Sequence, residues 1–389
     1  MIATHSEVQA DRRIGLALGG GGPFGGLYEI GALRALDEAL EGLDFNRLDV
    51  YVGVNAGAFV AANLANQVTT AQLCRIFVRN ETEVHPFRPE VFYRPAFREF
   101  GKRLLALPGL MATAVRRLVA NPYDQSVLEA LTVLAQAAPV GLFDNESLQD
   151  YLQRSFSMLG RTNDFRQLNR KLYVVATDVD STEAVSFGGP GFTEVPISKA
   201  IQASMASPGL YLPVRIGERS YVDGTLRKGL HASVAFEDGA DLVLAVNPLV
   251  PVDAGAAVRA GSMGPEELTR SGMPGLLQQA YRTLVHSRMQ NGVSQYARDY
   301  PGKELLLFEP AGADTRLLAA NVFSCKSRRM ICEYAYQLTR RDLRARADSL
   351  EPRLAGYGIQ LRRDLLEDEQ RTLSTGLYGE VPPLRVATV

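Results

Sequence analysis

The stretch YVGVNAGAFV, residues 51–60, places an asparagine where a hydrolase would carry its nucleophile. Gly53, Asn55 and Gly57 repeat the spacing of the G-x-S-x-G turn, in which a strand enters a sharp bend and the serine at its apex is the nucleophile. Asparagine tolerates unusual backbone angles better than most residues. Its amide nitrogen shares its lone pair with the carbonyl group and is a poor nucleophile. The turn is therefore predicted to form without the group needed for nucleophilic catalysis.

A glycine-rich segment lies earlier in the chain, at residues 20–25, GGGPFG. Its G-x-G-x-x-G spacing also describes a dinucleotide fingerprint, which requires an acid at the end of the second strand. Asp49 stands at the start of that strand, so the dinucleotide interpretation is disfavoured. The other use of such a loop is to aim backbone N–H groups at a developing oxyanion. The candidate donors are Gly20, Gly21 and Gly22.

The third candidate is Asp223, which precedes Gly224 at the end of a predicted strand in YVDGT. A carboxylate in this position can orient or deprotonate a hydroxyl group, although an isolated Asp-Gly pair is typical of a turn. His231 follows eight residues later. We expect it to be a surface or loop residue and not the third member of a triad.

These segments lie at the ends of strands in a predicted βαβα arrangement with a parallel sheet. Residues 14–18 are a short apolar run before the glycines, and apolar residues from Leu27 to Leu40 recur every three or four positions, which predicts a helix. Residues 48–54 predict a buried strand that runs into the turn, and a second helix follows it. Further strands are predicted at 171–180, 219–225 and 241–250, and a further helix at 197–207.

Residues 85–140 interrupt this pattern and predict a helical insertion or lid. The segment 94–117 holds six basic residues and one acid, a local charge of +5. Its apolar stripe either packs on the core, as in an ordinary solvated helix, or belongs to a basic amphipathic surface that meets anionic lipid. The stripe consists of Phe97, Phe100, Leu104, Leu107, Met111, Val115 and Leu118.

The region after residue 250 is predicted to be mostly helical. A loop is expected at 254–264, a helix at 273–297 and a strand at 304–310. Two helices are expected between 324 and 369, where interleaved acids favour a solvated helix face. The basic residues of that face are Arg328, Arg329, Arg340, Arg341, Arg344 and Arg346.

The composition, with 46% hydrophobic and 22% charged residues among 389, allows a sizeable core. A net charge of −1 gives no general attraction to nucleic acid, and no nucleic-acid partner is expected. Three cysteines fit a reducing compartment. The first residues lack the apolar run typical of a signal peptide, and no 18-residue apolar stretch appears later, so we expect a cytoplasmic protein, with peripheral membrane association left open. The oligomeric state stays open.

Together these segments resemble the patatin-like phospholipase family. The resemblance covers residues 14–250 and is carried by LGGGGPFGGLYEIGALRAL, GVNAG and VDGT, in matching order and spacing. The stretch AIQASMASPGLYLPVRIGERSYVDGTL is also similar to the family's approach to its catalytic aspartate. The resemblance implies a three-layer α/β/α domain with a mostly parallel sheet over 12–250, and the mostly helical extension over 251–389 lies outside it.

The resemblance also implies hydrolysis of acyl esters in phospholipids or neutral lipids by a Ser–Asp dyad, through an acyl-enzyme and without a metal or other cofactor. Carried over by position, the amides of residues 20–22 line the oxyanion hole, Asn55 takes the nucleophile position and Asp223 is the base. The chain departs from the family at Asn55 and in lacking an arginine in its glycine loop.

Three functional hypotheses remain open. The chain is an acyl hydrolase whose serine has been replaced deliberately, a natural non-catalytic relative that binds acyl lipid or a protein partner, or a nucleotide-binding or wholly unrelated α/β protein. For the first two we predict that the amide N–H of Asn55 donates to Asp223 and that its carbonyl oxygen faces the glycine-loop amides. The side chain would then leave little room for an ester carbonyl.

Overall fold

A central sheet of eight strands organises the part of the chain described by the computed structural model, namely residues 12–81, 88–120, 132–133, 135–312 and 324–378. Two smaller sheets lie outside it. In chain order the strands are β1 Ile14–Leu18, β2 Leu40–Glu41, β3 Val50–Val54, β4 Arg94–Pro95, β5 Gly141–Asp144, β6 Lys171–Asp178, β7 Ala184–Phe187, β8 Gly209–Tyr211, β9 Val214–Ile216, β10 Arg219–Asp223, β11 Leu242–Val246, β12 Glu304–Phe308 and β13 Gln360–Leu361.

Helices follow most of the strands, and the predicted helices at 27–40, 197–207 and 273–297 are present. A π-helical segment at Cys74–Arg79 and 3₁₀ turns at Pro89–Phe92, Phe165–Gln167 and Gly224–Leu226 complete the pattern. The α-helices are α1 Gly22–Ala39, α2 Ala56–Ala65, α3 Thr70–Leu73, α4 Phe97–Ala120, α5 Glu146–Phe156, α6 Ile197–Ser204, α7 Ala232–Glu237, α8 Ala254–Arg259, α9 Glu267–Arg270, α10 Gly272–Asp299, α11 Cys325–Ala345, α12 Ala347–Ala355, α13 Arg363–Glu367 and α14 Leu373–Tyr378.

The order of the main sheet is β12-β11-β1-β3-β6-β10-β9, with β7 also paired to β6. The pairings from β12 through β6 are parallel, whereas β10, β9 and β7 join by antiparallel pairings. The central strands are continuous apolar runs because both faces of the sheet are covered. The mostly parallel sheet predicted from the sequence is confirmed.

Alternating side chains of the strands point into two separate cores, as the pleat requires. Leu16 of β1 and Tyr51 of β3 pack with the helices α1 and α2 on one face. Ala17 and Val52 pack on the other face with α7 and α10. Helices therefore cover both faces, and the three-layer α/β/α arrangement is confirmed.

The region after residue 250 is not a separate appendage. Strand β12 pairs in parallel with β11 and forms one edge of the main sheet. Helix α11 packs closely along α1, where Gly31 allows the two backbones to approach. The predicted boundary at residue 250 thus does not coincide with the edge of the sheet.

The exposure of helix α4 contradicts one interpretation of the insertion, namely that its apolar stripe packs on the core. Phe97, Leu104, Met111 and Val115 are 72%, 70%, 53% and 58% exposed, so the apolar stripe does not pack on the core. The side chain of Leu118 lies outside the described residues. Residues 254–264, predicted to be a loop, begin with α8, whose first turn is capped by the Asp253 side chain.

Two arginines of α11 also differ from expectation. The sequence predicted a solvated basic face, but Arg328 and Arg340 are buried, with 3% and 6% of their surface exposed. Arg340 donates to three backbone carbonyl groups, those of Leu365, Asp368 and Arg371. The interleaved acids on the same helix gave no sign of this, because the acceptors belong to other segments.

Candidate active site

The turn between β3 and α2 has the backbone of a nucleophile elbow. Asn55 adopts φ 55° and ψ −121° and caps the N-terminus of α2. The flanking glycines are required for close packing, because a Cβ at Gly53 would lie 2.4 Å from the Cα of Ala58 and a Cβ at Gly57 would lie 2.5 Å from the backbone of Leu18. Strand and helix can therefore meet at an angle that any side chain would prevent.

The apex is tied to neighbouring elements through its backbone. The N–H of Asn55 donates to Oγ of Ser204 at 2.8 Å, and that hydroxyl donates to the carbonyl oxygen of Val175 in β6 at 2.5 Å. Ser204 is the last residue of α6. These bonds hold an asparagine at positive φ in a fixed position within the buried core.

The Asn55 side chain is almost fully buried and makes the contacts predicted for it. Its Oδ1 accepts from the backbone N–H of Gly22 at 3.0 Å and from that of Ala56 at 2.8 Å. Its Nδ2 donates to a carboxylate oxygen of Asp223 at 2.6 Å and to Oγ of Ser207 at 3.2 Å. The carboxamide thus bridges the glycine loop and the aspartate.

Asp223 ends β10 with its side chain buried. It accepts from Nδ2 of Asn55, from Oγ of Ser207 at 2.6 Å and from the backbone N–H of Thr225 at 3.0 Å. Burial raises the pKa of the Asp223 carboxyl, and hydrogen bonds from Ser207, Thr225 and Asn55 oppose that rise. No basic side chain within the described residues forms an ion pair with it. A raised pKa suits a group that must accept a proton from a hydroxyl.

The glycine loop contributes one direct contact, one close approach and two positive φ angles. Of the three candidate donors, Gly22 is the one that contacts Asn55. Gly20 passes so near Thr225 that a Cβ would lie 2.2 Å from its Cγ2. Gly21 and Gly22 have φ values of 142° and 62°, which side chains rarely adopt. The chain can turn into α1 here only because these residues are glycines.

The sequence reasoning missed several groups of the site. The amide of Ala56 completes the pair of N–H donors. In hydrolase elbows, the amide of the residue after the nucleophile has this role. Ser204 and Ser207 lie three residues apart at the end of a predicted helix, which was a usable signal. The hydroxyl of Tyr281, from α10, is hydrogen-bonded to Oγ1 of Thr225. Nothing local in the sequence links those two residues.

Two other candidates do not join the site. His231 was predicted to be a surface or loop residue; it lies in the loop before α7 but is buried, and its Nε2 is 3.2 Å from the carbonyl oxygen of Gly224. Burial lowers the pKa of His231 to about 4. Asp49 accepts from the N–H of Ile14 at 2.8 Å, at the opposite end of β3 from the turn. It therefore binds at the N-terminal ends of the strands and does not face the glycine loop.

An apolar pocket opens beside the elbow, with about 460 Å³ of space between the atoms that line it and the solvent at its open mouth. Ala56 and Pro23 contribute to its wall, so it adjoins the bridge formed by Asn55. Pockets with mostly apolar walls and a few polar groups are the usual form of small-ligand sites.

The described ranges contain no group of three or more histidine, cysteine, aspartate or glutamate side chains placed to hold a metal ion. Across the same ranges, no helix has both the length and the apolar character that crossing a bilayer requires.

Comparisons with known proteins give a family and distant structural neighbours. A family model described as patatin-like phospholipase matches residues 16–236. VipD from Legionella pneumophila is 14% identical, with 85% of this chain and 66% of that chain covered and a TM-score of 0.39. The type III effector protein ExoU is 17% identical, with 72% and 53% covered and a TM-score of 0.29. ExoU in complex with SpcU, from the type III secretion system of Pseudomonas aeruginosa, is 15% identical, with 75% and 59% covered and a TM-score of 0.25.

The chain therefore spans between 53% and 66% of the length of these solved proteins. A search of curated proteins gives no match.

Proposed function

The chain belongs to the patatin-like phospholipase family, and from this premise we propose that its site is that of a lipid acyl hydrolase whose nucleophile has been replaced by Asn55. One observation carries the proposal. The Asn55 carboxamide contacts two backbone N–H donors with its oxygen and Asp223 with its nitrogen. These are the partners that an ester oxygen and a serine hydroxyl would need.

The chemistry of the ancestral reaction follows from those partners. A serine at position 55 would give its proton to Asp223 and attack the carbonyl carbon of an acyl ester. The oxyanion formed would accept hydrogen bonds from the amides of Gly22 and Ala56. Release of the alcohol would leave an acyl-enzyme, which water would hydrolyse. Asn55 offers no comparable nucleophile, so the chain as it stands is expected to be inactive.

The direct test is esterase turnover by the Asn55→Ser variant on a short-chain p-nitrophenyl ester and on a phospholipid. Loss of a nucleophile costs on the order of a million-fold in a well-studied serine hydrolase. We therefore expect the serine variant to exceed the unaltered chain by at least about a thousand-fold.

Two matched variants make the result specific. Asn55→Ala removes the carboxamide that bridges the glycine loop and Asp223 without adding a nucleophile, and this variant should stay inactive. Asn55→Ser combined with Asp223→Asn should lose most of the gain, because the hydroxyl then has no carboxylate to take its proton. Turnover by the unaltered chain would show that the nucleophile lies elsewhere.

A second candidate function is lipid binding without hydrolysis, and two features favour it. The apolar pocket beside the turn is formed although the nucleophile is absent. Helix α4 exposes apolar residues beside Arg98, Lys102 and Arg116, which are exposed too. We propose acyl lipid or phospholipid as the ligand, and peripheral contact with anionic membrane through residues 94–117.

A further inference from the structure

Arg328 is a buried cation in the wall of the pocket beside Asn55. It is 3% exposed and is the one charged side chain among the pocket-lining residues that the structure describes. It comes from α11, beyond the residues 16–236 that the family model matches. The charge is therefore an addition of this chain's C-terminal region to the site.

The described neighbours of Arg328 supply no negative charge to compensate it. Nη1 donates to the carbonyl oxygen of Phe77 at 3.1 Å, and Nη2 contacts Sγ of Cys325 at 2.9 Å. The buried Nε has no hydrogen-bond partner within the described ranges. Both of these side-chain contacts of Arg328 within those ranges are to neutral acceptors. A guanidinium does not deprotonate to escape burial, and an unpaired buried charge is strongly unfavourable.

The remaining wall is apolar and suits an alkyl chain. Burial of such a chain removes apolar surface from water on both sides. The amide of Ala56, which donates to Asn55, lies at the same wall. The large apolar residues that line the pocket are Leu27, Ile30, Phe59, Phe77, Phe92 and Met205.

We propose that this pocket binds a single-chain amphiphile with an anionic head group, which pairs with Arg328 while its alkyl chain occupies the apolar wall. The planar guanidinium fork matches a carboxylate and a phosphate monoester equally well. A neutral ester or alcohol leaves the cation unpaired and binds more weakly. The inference deepens the proposed function by naming the ligand class, and it rests on that function only in taking the ligand to be a lipid.

The test is calorimetric titration of the full chain with decanoate, decyl phosphate and decanol, which share one chain length. Decanoate or decyl phosphate should bind at least about ten-fold more tightly than decanol, since a charge-paired hydrogen bond adds more than a neutral one. The tighter of the two anions identifies the head group. Arg328→Met keeps the side chain's length and removes its charge. It should lower the affinity for the preferred anion by at least about ten-fold and leave decanol binding unchanged.

Arg329→Met is the matched control, because Arg329 is the exposed neighbour on the same helix, and it should bind all three ligands as the unaltered chain does. Decanol binding by Arg328→Met shows that its pocket is intact. If that variant does not fold, two other measurements test the proposal. They are the anion affinity of Arg328→Lys and the ratio of anion to decanol affinity in the unaltered chain. Equal affinity for decanol and both anions, or undiminished anion affinity in Arg328→Met, overturns the proposal.

The two proposals fail separately. An inactive Asn55→Ser variant with tight, Arg328-dependent decanoate binding contradicts only the hydrolase origin of the site. Turnover by Asn55→Ser without any preference for anionic ligands contradicts only the assignment of the head group.

Discussion

At the scale of single residues, Asn55 shows how one side chain can satisfy a site that was arranged for two reacting groups. Its oxygen meets the amides of Gly22 and Ala56, and its nitrogen meets Asp223. The Ala56 amide and the Asp223 carboxylate are buried and would be costly to leave without partners. The carboxamide therefore stabilises the site by pairing these groups, whereas a serine would leave some of them free to bind substrate.

His231 gives a pH-dependent prediction at the same scale. Burial lowers its pKa in the folded chain from the ordinary 6.5 to about 4. Between these values the unfolded chain binds a proton that the folded chain does not. The contribution of His231 to the free energy of unfolding is thus fully present above pH 6.5. It falls by about 1.4 kcal/mol per pH unit as the pH drops toward 4, and by about 3 kcal/mol in all.

Urea unfolding at a series of pH values, with His231→Gln as the comparison, measures this effect. The difference in unfolding free energy between the two proteins should change across pH 4–6.5 and be constant above it. Carboxyl groups titrate in both proteins and cancel in the difference. Parallel stability curves over the whole range would show that His231 is not buried in its neutral form.

The sequence identified the residues of the site whose signal is local. Asn55 and Asp223 lie in short motifs with strong turn chemistry, so their placement could be predicted. Tyr281 and Arg328 could not be identified, since each enters the site or its pocket from the C-terminal helices. Arg328 in particular follows a charge pattern that is typical of a solvated helix, and only its contact with Phe77 reveals its burial.

At the scale of elements, α4 leaves most of its apolar stripe exposed. Phe97, Leu104 and Leu105 are 72%, 70% and 83% exposed on a helix with several exposed basic residues. Exposed apolar residues among basic ones are typical of helices that lie in the interface of an anionic bilayer. The exposure supports the proposed contact with anionic membrane.

Reversing the charge of Arg98, Lys102 and Arg116 to glutamate should weaken binding to vesicles that contain anionic lipid. Each basic residue near such a surface contributes about 1 kcal/mol, so the triple reversal should lower the partition coefficient by at least about a hundred-fold. Vesicle co-sedimentation measures the change. Neutral phosphatidylcholine vesicles should show little difference between the two proteins.

The control is the reversal of three exposed basic residues on other elements, Arg47, Arg154 and Arg259, which changes the net charge equally. It should retain most of the binding. Equal loss in both triple variants would assign the attraction to net charge. Unchanged binding in the α4 variant would restrict that helix to a role in packing or in covering the site.

The elements themselves were predictable to different degrees. The strands β1, β3 and β11 are continuous apolar runs and were located to within a few residues. Strand β12 was found as a strand, but its pairing with β11 depends on a contact across about 60 residues that no local pattern contains. Helix α8 was missed because its alanine and glycine residues are also common in loops.

At the scale of the whole molecule, the C-terminal region is built into the domain. It supplies the edge strand β12, the helix α11 against α1 and the arginine in the pocket wall. Residues 16–236 carry the family pattern, but that segment alone would expose one edge of the sheet and one side of α1. We therefore expect the two regions to unfold together.

Gly31 tests this expectation at the closest point of α1 and α11. A Cβ at this position would lie 2.2 Å from the carbonyl oxygen of Cys332 and 3.0 Å from Cβ of Ala335. Because backbone blocks the added methyl, Gly31→Ala must push the helices apart, at a cost of about 1–3 kcal/mol. Urea unfolding should show a single transition at a lower midpoint.

Gly101→Ala in α4, where nothing lies within 4 Å, is the control and should be neutral or stabilising by up to about 1 kcal/mol. Two separate transitions, with only one of them shifted by Gly31→Ala, would show that the C-terminal region folds independently of the sheet.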